Sequence, residues 1–460
     1  MIPPYKLNEL IERAEHGPIM TEKDFDLKIL VPNLKRVIKE YGISYDPNEV
    51  VPSDDSLARD AFKAAFDLYL TVGTYCTSSN RRILFKEEEI KEALSLFPGE
   101  FIVGYGKDQR RIFHRHIEDE RMPFFLFGPM GQSCSEEIFL QVTMAYMKDP
   151  MADGISSPAL DRIDNIPIQV KAPSEVLGAV AHSMLVKDAA RRVGRPGIFT
   201  ISVATAPSDA AQIAASHPQW GKWTTDGGFV GALAELKIDF DLLRKMIHFH
   251  QYGQFIGALT GPLMGGFCGG PEGTAVIAIA YHLQGLLVHQ SHFQANFPMH
   301  IIHSCTTMRE TLWALHLSSQ AIAQNTSLIT FAKGKAAAGP CTDMVLYESA
   351  AHGLVAVSGA HIYAMGAARN KYKERYTPVE ARIACETAYA IVKSKGTRRD
   401  ANDITKELLR EYEKEIPNAP MGKTIRECYD LKKLAPSSEY QEIIQQVRKK
   451  LTDLGLNLII

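Results

Sequence analysis

Histidine spacing offers the first candidate chemistry in this chain. His289 and His292, then His300 and His303 after a seven-residue gap, with Cys305 close behind, form a string of the kind that zinc sites use. If the run Met299–Cys305 is a strand, however, His300 and His303 are an odd number of residues apart and point to opposite faces, so separate hydrogen-bonded histidines and no metal are expected. The segment from Gly261 to Gly273 carries six glycines. No Gly-Lys-Ser/Thr follows, so a phosphate cradle is a weak reading, and Gly265, Gly266, Gly269 and Gly270 better suit a side-chain-free surface that a large planar cofactor could approach. Lys333 and Lys335 lie two residues apart just after the apolar run SLITFA. Two desolvated ammonium groups at that spacing repel, which yields either a base or Schiff-base nucleophile of lowered pKa, or a clamp for an anion; a solvated loop is the bland alternative.

These residues need a scaffold, and the pattern from Phe101 onward supplies one. Short apolar runs (FIVG, FFLFG, GIFTISVA, FIGAL, MHIIHSC, SLITFA) alternate with amphipathic segments, which is the rhythm of βα units around a parallel sheet. At least six strand candidates over a span near the roughly 250 residues of a (β/α)8 unit, with no G-x-G-x-x-G after a strand, favour a TIM-type barrel over an open dinucleotide-binding sheet. The expected organisation is a helical extension over residues 1–100, the barrel over 101–365, and a helical region over 366–460. In that last region Thr377, Pro378 and Glu380 form a capping box. A final stripe of Tyr440, Ile443, Ile444, Val447, Leu451 and Leu454 must pack on the barrel or on a neighbouring subunit.

Composition excludes several functions. With 51 Lys plus Arg against 53 Asp plus Glu, the net charge of -2 draws the chain to neither nucleic acid nor an anionic membrane. The longest clean apolar run, Ala275 to Tyr281, is far short of the roughly 18 residues of a spanning helix, and the start lacks the apolar stretch of a signal peptide. Seven scattered cysteines without a C-x-x-C pair read as buried, reduced thiols, so a cytoplasmic protein is expected.

Longer words in the chain then point to a family. Tyr75-Cys76-Thr77, Gly194-Arg195-Pro196-Gly197, Glu235-Leu236-Lys237-Ile238-Asp239, Arg309-Glu310-Thr311-Leu312 and Ala338-Gly339-Pro340-Cys341-Thr342 stand in order, as do Glu427-Cys428-Tyr429-Asp430 and Asp453-Leu454-Gly455-Leu456 near the C-terminus. In these words the chain resembles the corrinoid-dependent monomethylamine methyltransferases of methylotrophic methanogens. The resemblance implies a hexameric (β/α)8 barrel that passes a methyl group from a small methylated substrate to the cobalt of cobalamin. A small corrinoid-binding partner protein carries that cobalamin, and this chain binds no cofactor itself.

The resemblance also marks departures. The family's hallmark pyrrolysine position falls on Ile201, beside Ser202; its two active-site glutamates fall on Phe229 and Leu259; and its glutamine and tyrosine before Ala338 fall on Lys333 and Lys335. The implied mouth comprises Ile201, Ser202, Phe229, Leu259 and His303 for substrate, with Lys333, Lys335 and Asp226 as catalytic candidates. Loss of both carboxylates and gain of two lysines reverse the sign of charge offered to a ligand, so an anionic or zwitterionic N-methylated donor is expected. Monomethylamine itself, a lysine Schiff-base reaction and a non-catalytic docking scaffold are the alternatives.

Overall fold

A strand whose following helix returns the chain to the same end pairs in parallel with the next one, and repeating that unit curls the sheet until its edges meet. In this computed structural model, which describes residues 6–201 and 203–458, the repeat occurs eight times. The strands are β1 (Phe125–Phe127), β2 (Gly154–Ile155), β3 (Phe199–Thr200), β4 (Gly227–Gly231), β5 (Phe255–Thr260), β6 (Phe293–Asn296), β7 (Thr330–Lys335) and β8 (His361–Gly366). Their order round the sheet is β3-β2-β1-β8-β7-β6-β5-β4, with parallel neighbours throughout. A parallel bridge between Ile201 and Gly227 joins the two remaining edges. The expected (β/α)8 barrel is present.

An N-terminal helix, α1 (Asp55–Val72), is capped by the Asp54 carboxylate, which accepts from the Ser56 amide. The helices after successive barrel strands are α2 (Glu136–Met147), α3 (Pro173–Arg192), α4 (Asp209–Ala215), α5 (Phe240–Tyr252), α6 (Pro271–Leu287), α7 (Arg309–Asn325), α8 (Asp343–Gly353) and α9 (Pro378–Lys393). α1 packs across α6 and α7, and this explains why α6 is mostly apolar and wholly buried from Gly273 to Leu287. The longer helices after α9 are α10 (Arg398–Tyr412) and α11 (Ser438–Asp453).

Four of the six expected strands are barrel strands; FIVG and MHIIHSC are not. FIVG belongs to an antiparallel hairpin, Glu100–Val103 with Arg110–Phe113. That hairpin plugs the N-terminal end of the barrel, where the Phe101 ring meets His292 at 4.7 Å and the Phe113 ring meets His361 at 5.2 Å. The barrel strands therefore begin at Phe125 rather than at Phe101. Met299–His300 pairs instead with Leu263–Met264, a two-residue side sheet above the C-terminal rim, and the true sixth strand lies just before it.

The capping box at Thr377 and Glu380 forms as expected. The C-terminal stripe packs inside the chain: Tyr440, Ile444, Val447 and Leu451 of α11 are buried, α11 lies on α8, and the Tyr440 hydroxyl donates to Glu380 at 2.6 Å. It is thus not a free face awaiting a neighbouring subunit. All seven cysteines are buried and unpaired. No helix among the described residues is long and apolar enough to cross a membrane.

Candidate active site

Strand alternation decides what enters the barrel lumen. On β7, Gly334 faces outward: a Cβ there would meet Met365 Sδ at 2.0 Å and the His352 ring of α8 just beyond. Lys333 and Lys335 on either side of it consequently turn inward. Lys333 pairs across the ladder with Tyr363 of β8, and the register slips between Lys333 and Lys335, at the point where the strand reaches the rim.

A cavity of about 480 Å³ opens here, at the end of the barrel from which the βα loops leave. Its inner wall is Ser156, Phe229, Leu259, Lys333 and Tyr363; its outer wall comes from the segments after β3 and β4, including Val203, Gln212 of α4, the α5 cap Asp239, and Asp241 and Lys245 of α5. The Phe229 and Tyr363 rings stack with centroids 5.7 Å apart and planes 9° apart. The Tyr363 hydroxyl donates to Ser156 Oγ at 2.7 Å.

Lys333 is buried, and among the described residues no carboxylate pairs with it; its ammonium lies over the rings of Phe297 (4.7 Å to the centroid) and Tyr363 (5.4 Å). Burial, with repulsion from Lys335 added, holds the Lys333 amine well below the ordinary lysine range. Burial also lowers Lys335, whose ammonium meets the Met299 sulfur at 3.4 Å and the Phe297 ring at 5.2 Å. The outer carboxylates are already engaged. Asp239 caps α5 by accepting from the Leu242 amide at 2.8 Å, and Asp241 pairs with Arg244 and with Lys171. The cavity thus offers apolar and aromatic walls with unneutralised amine at one side, and that suits an anion next to apolar groups.

Phe229, Leu259 and Lys333 line this cavity together, with Lys335 beside it. Three other expected mouth residues do not line it. Asp226 points outward from the start of β4 to α3, where Lys187 pairs with both its oxygens (2.9 and 2.8 Å) and Thr200 and the Trp223 amide also donate to it. Lys222, held by the Gly227 carbonyl at 2.7 Å, adds to the field, and these cations keep the Asp226 carboxyl below its usual range despite burial. It is a strut across the seam where the barrel closes. Ile201 is fully buried outside the cavity lining, its amide donating to the Ile155 carbonyl. His303 lies on a rim turn, outside the cavity lining. Ser202 falls outside the described residues.

The histidine string also differs from expectation. His300 and His303 do not point apart, because the chain turns after His300: their rings lie 4.8 Å apart, and the His300 Nδ1 accepts from the Ile302 and His303 amides. His289 and His292 are buried separately, against the Gly231 carbonyl and the Ile256 amide. Among the described residues no three His, Cys, Asp or Glu side chains converge as a metal cage would require. In the glycine loop, the Gly265 amide donates to the Gly269 carbonyl at 2.8 Å and Ile301 covers Gly265, while a Cβ on Gly269 would meet no atom of the described residues; Phe267 and Ile302 stand exposed on the same rim.

Sequence reasoning missed Tyr363, Ser156 and Phe297. Tyr363 could have been found from the alternation in HIYAMG; Ser156 and Phe297 just follow their strands and carry no local signal.

The chain and its barrel have clear relatives. The model of the family Monomethylamine methyltransferase MtmB matches residues 6–456. This chain belongs to the monomethylamine methyltransferase family. Monomethylamine methyltransferase MtmB1 of Methanosarcina acetivorans is 32% identical over 450 residues, covering 97% of each chain. MtmB of Methanosarcina mazei is 31% identical over the same length. The crystal structure of the Methanosarcina barkeri monomethylamine methyltransferase superposes with a TM-score of 0.95 at 31% identity over 99% of each chain, as does that of the hydroxylamine MtmB complex. Family membership makes the chain a methyltransferase and its architecture that of the family barrel.

Proposed function

We propose that this methyltransferase moves a methyl group from a small N-methylated compound bearing an anionic end to the cobalt of a corrinoid held by a separate partner protein. The observation that carries the reading is Lys333: a buried amine facing a cavity with an apolar and aromatic inner wall, with no carboxylate paired with it among the described residues. A donor carboxylate would restore the charge that burial disfavours, and Phe229 and Leu259 would take the methyl-bearing end. Monomethylamine, a cation at neutral pH, would find no free carboxylate there to hold it, since Asp239 and Asp241 are engaged. The reduced corrinoid would supply the nucleophile for the methyl group. The exposed Phe267 and Ile302 beside the open Gly269 form an apolar rim on which a large flat group can rest.

Assembly as a homo-oligomer, a hexamer by the family resemblance, belongs to the same proposal; Leu177 and Met184, each 50% exposed on α3, offer apolar surface for it. Light scattering that shows a stable monomer at micromolar concentration would refute that part.

The deciding assay supplies reduced corrinoid protein and compares monomethylamine with N-methylated amino acids and betaines, following methylation of the corrinoid by its absorbance. Faster methylation from monomethylamine would overturn the proposal. The lowered Lys333 amine also favours a second reading, a Schiff base with a carbonyl substrate; borohydride trapping of a Lys333 adduct would establish it.

A further inference from the structure

Phe297 stands directly after β6, its amide donating to the Thr260 carbonyl of β5 at 3.0 Å, so its ring leans over the lumen beside the last residues of β7. One ring meets two cations: the Lys333 and Lys335 ammonium groups lie 4.7 and 5.2 Å from its centre. Two ammonium groups in a partly dry site repel, and without a common partner their long side chains would part. An aromatic face attracts both without cancelling either charge, which a carboxylate in its place would do. The ring's position depends on Gly261, where a Cβ would come within 2.2 Å of Phe297. Gly261 has no left-handed backbone conformation, so an alanine there would act through the ring rather than through the chain path.

We propose that Phe297 is a positioning residue of an anion site: its ring holds the ammonium groups of Lys333 and Lys335 together so that both close on one carboxylate of the methyl donor. This rests on the reading of the donor as anionic. It adds that the affinity of the site is set by a side chain with no polar atom. The ring acts on binding, so its loss should raise KM and leave kcat nearly unchanged.

The test is calorimetric titration of the full-length chain with N-methylglycine and trimethylglycine, paired with turnover kinetics on the better of the two. Phe297→Leu and Gly261→Ala should each weaken binding about tenfold, with KM rising in step, while Phe297→Tyr, which keeps the ring, should stay within about twofold of wild type. Lys333→Met serves as the control for the underlying reading and should lose binding altogether. If Lys333→Met loses binding but Phe297→Leu binds and turns over as wild type does, the role of Phe297 is overturned and the anionic-donor reading stands. If Lys333→Met binds as well as wild type, or wild type binds neither compound, the anionic-donor reading falls and the role of Phe297 with it.

Discussion

The Lys333 ammonium lies 5.4 Å from the centre of the Tyr363 ring, its partner across the β7–β8 ladder, and Tyr363 in turn stacks on Phe229. Lys333 therefore faces aromatic carbon where a lysine in an ordinary protein interior would face a carboxylate. Its amine is left for a ligand to engage.

Lys333→Ala is accordingly expected to lower kcat/KM for an anionic N-methylated donor by about a hundredfold or more, the usual loss when one partner of a desolvated charge pair is removed. Corrinoid methylation measured against donor concentration checks this. An unchanged kcat/KM would show that the lysine takes no part in donor binding.

Phe229→Glu should move preference the other way. A carboxylate on β4 would share the cavity with Lys333 and pair with it, so the ratio of kcat/KM for anionic donor to that for monomethylamine should fall about tenfold to a hundredfold. Competition between the two donors in one reaction gives that ratio directly.

Asp226→Ala tests a strut rather than a catalyst. Removal of the carboxylate strands Lys187, which is as buried as its partner, and a broken buried pair of this kind destabilises by about 3–5 kcal/mol. Urea denaturation should show the loss, while KM of the protein that remains folded should match wild type. A large rise in KM at unchanged stability would return Asp226 to the substrate site.

The pH dependence of stability should be set by buried histidines. Burial pulls His182, His292, His316 and His361 down to about 3, and His282, His289 and His352 down to about 4. Between those values and the unfolded value of about 6.5, only the unfolded chain binds these protons, so stability is complete above pH 6.5 and falls as pH drops toward 4, by up to about 1.4 kcal/mol per pH unit for each histidine. Glu348 and Glu380, pushed up to about 7 by burial, act oppositely: the native state keeps their protons from about pH 4.5 to 7, and stability falls there as pH rises. Seven histidines outweigh two carboxyls. Thermal melts should show a lower Tm at pH 5 than at pH 7; a higher one would mean that the histidines are charged in the native state.

Much of the scaffold is legible in the amino-acid pattern. The apolar runs that form β1, β3, β5 and β7, the Thr377–Glu380 capping box and the α11 stripe are all local patterns, set by residue type and spacing within one element. Three of the four barrel strands outside those runs are hidden for local reasons too. β2 is only two residues long, β4 holds three glycines in five residues, and β6 carries Gln294 and Asn296 where a buried strand is usually apolar.

Residue type and spacing alone establish the repeating βα rhythm and the shared face of Lys333 and Lys335, because strand alternation has a period of two and needs no distant contact. The family resemblance, rather than spacing, implies that Phe229, Leu259 and Lys333 share the barrel mouth, and the cavity brings those three together. Which charges are already satisfied is a matter of tertiary packing. Asp226 reads as a mouth residue until α3 supplies Lys187, and the histidine string reads as divided by a strand until the chain turns after His300. Phe297 meets the two lysines only because β6 and β7 lie side by side and Gly261 leaves its ring room, a coincidence of three segments that sequence spacing does not encode.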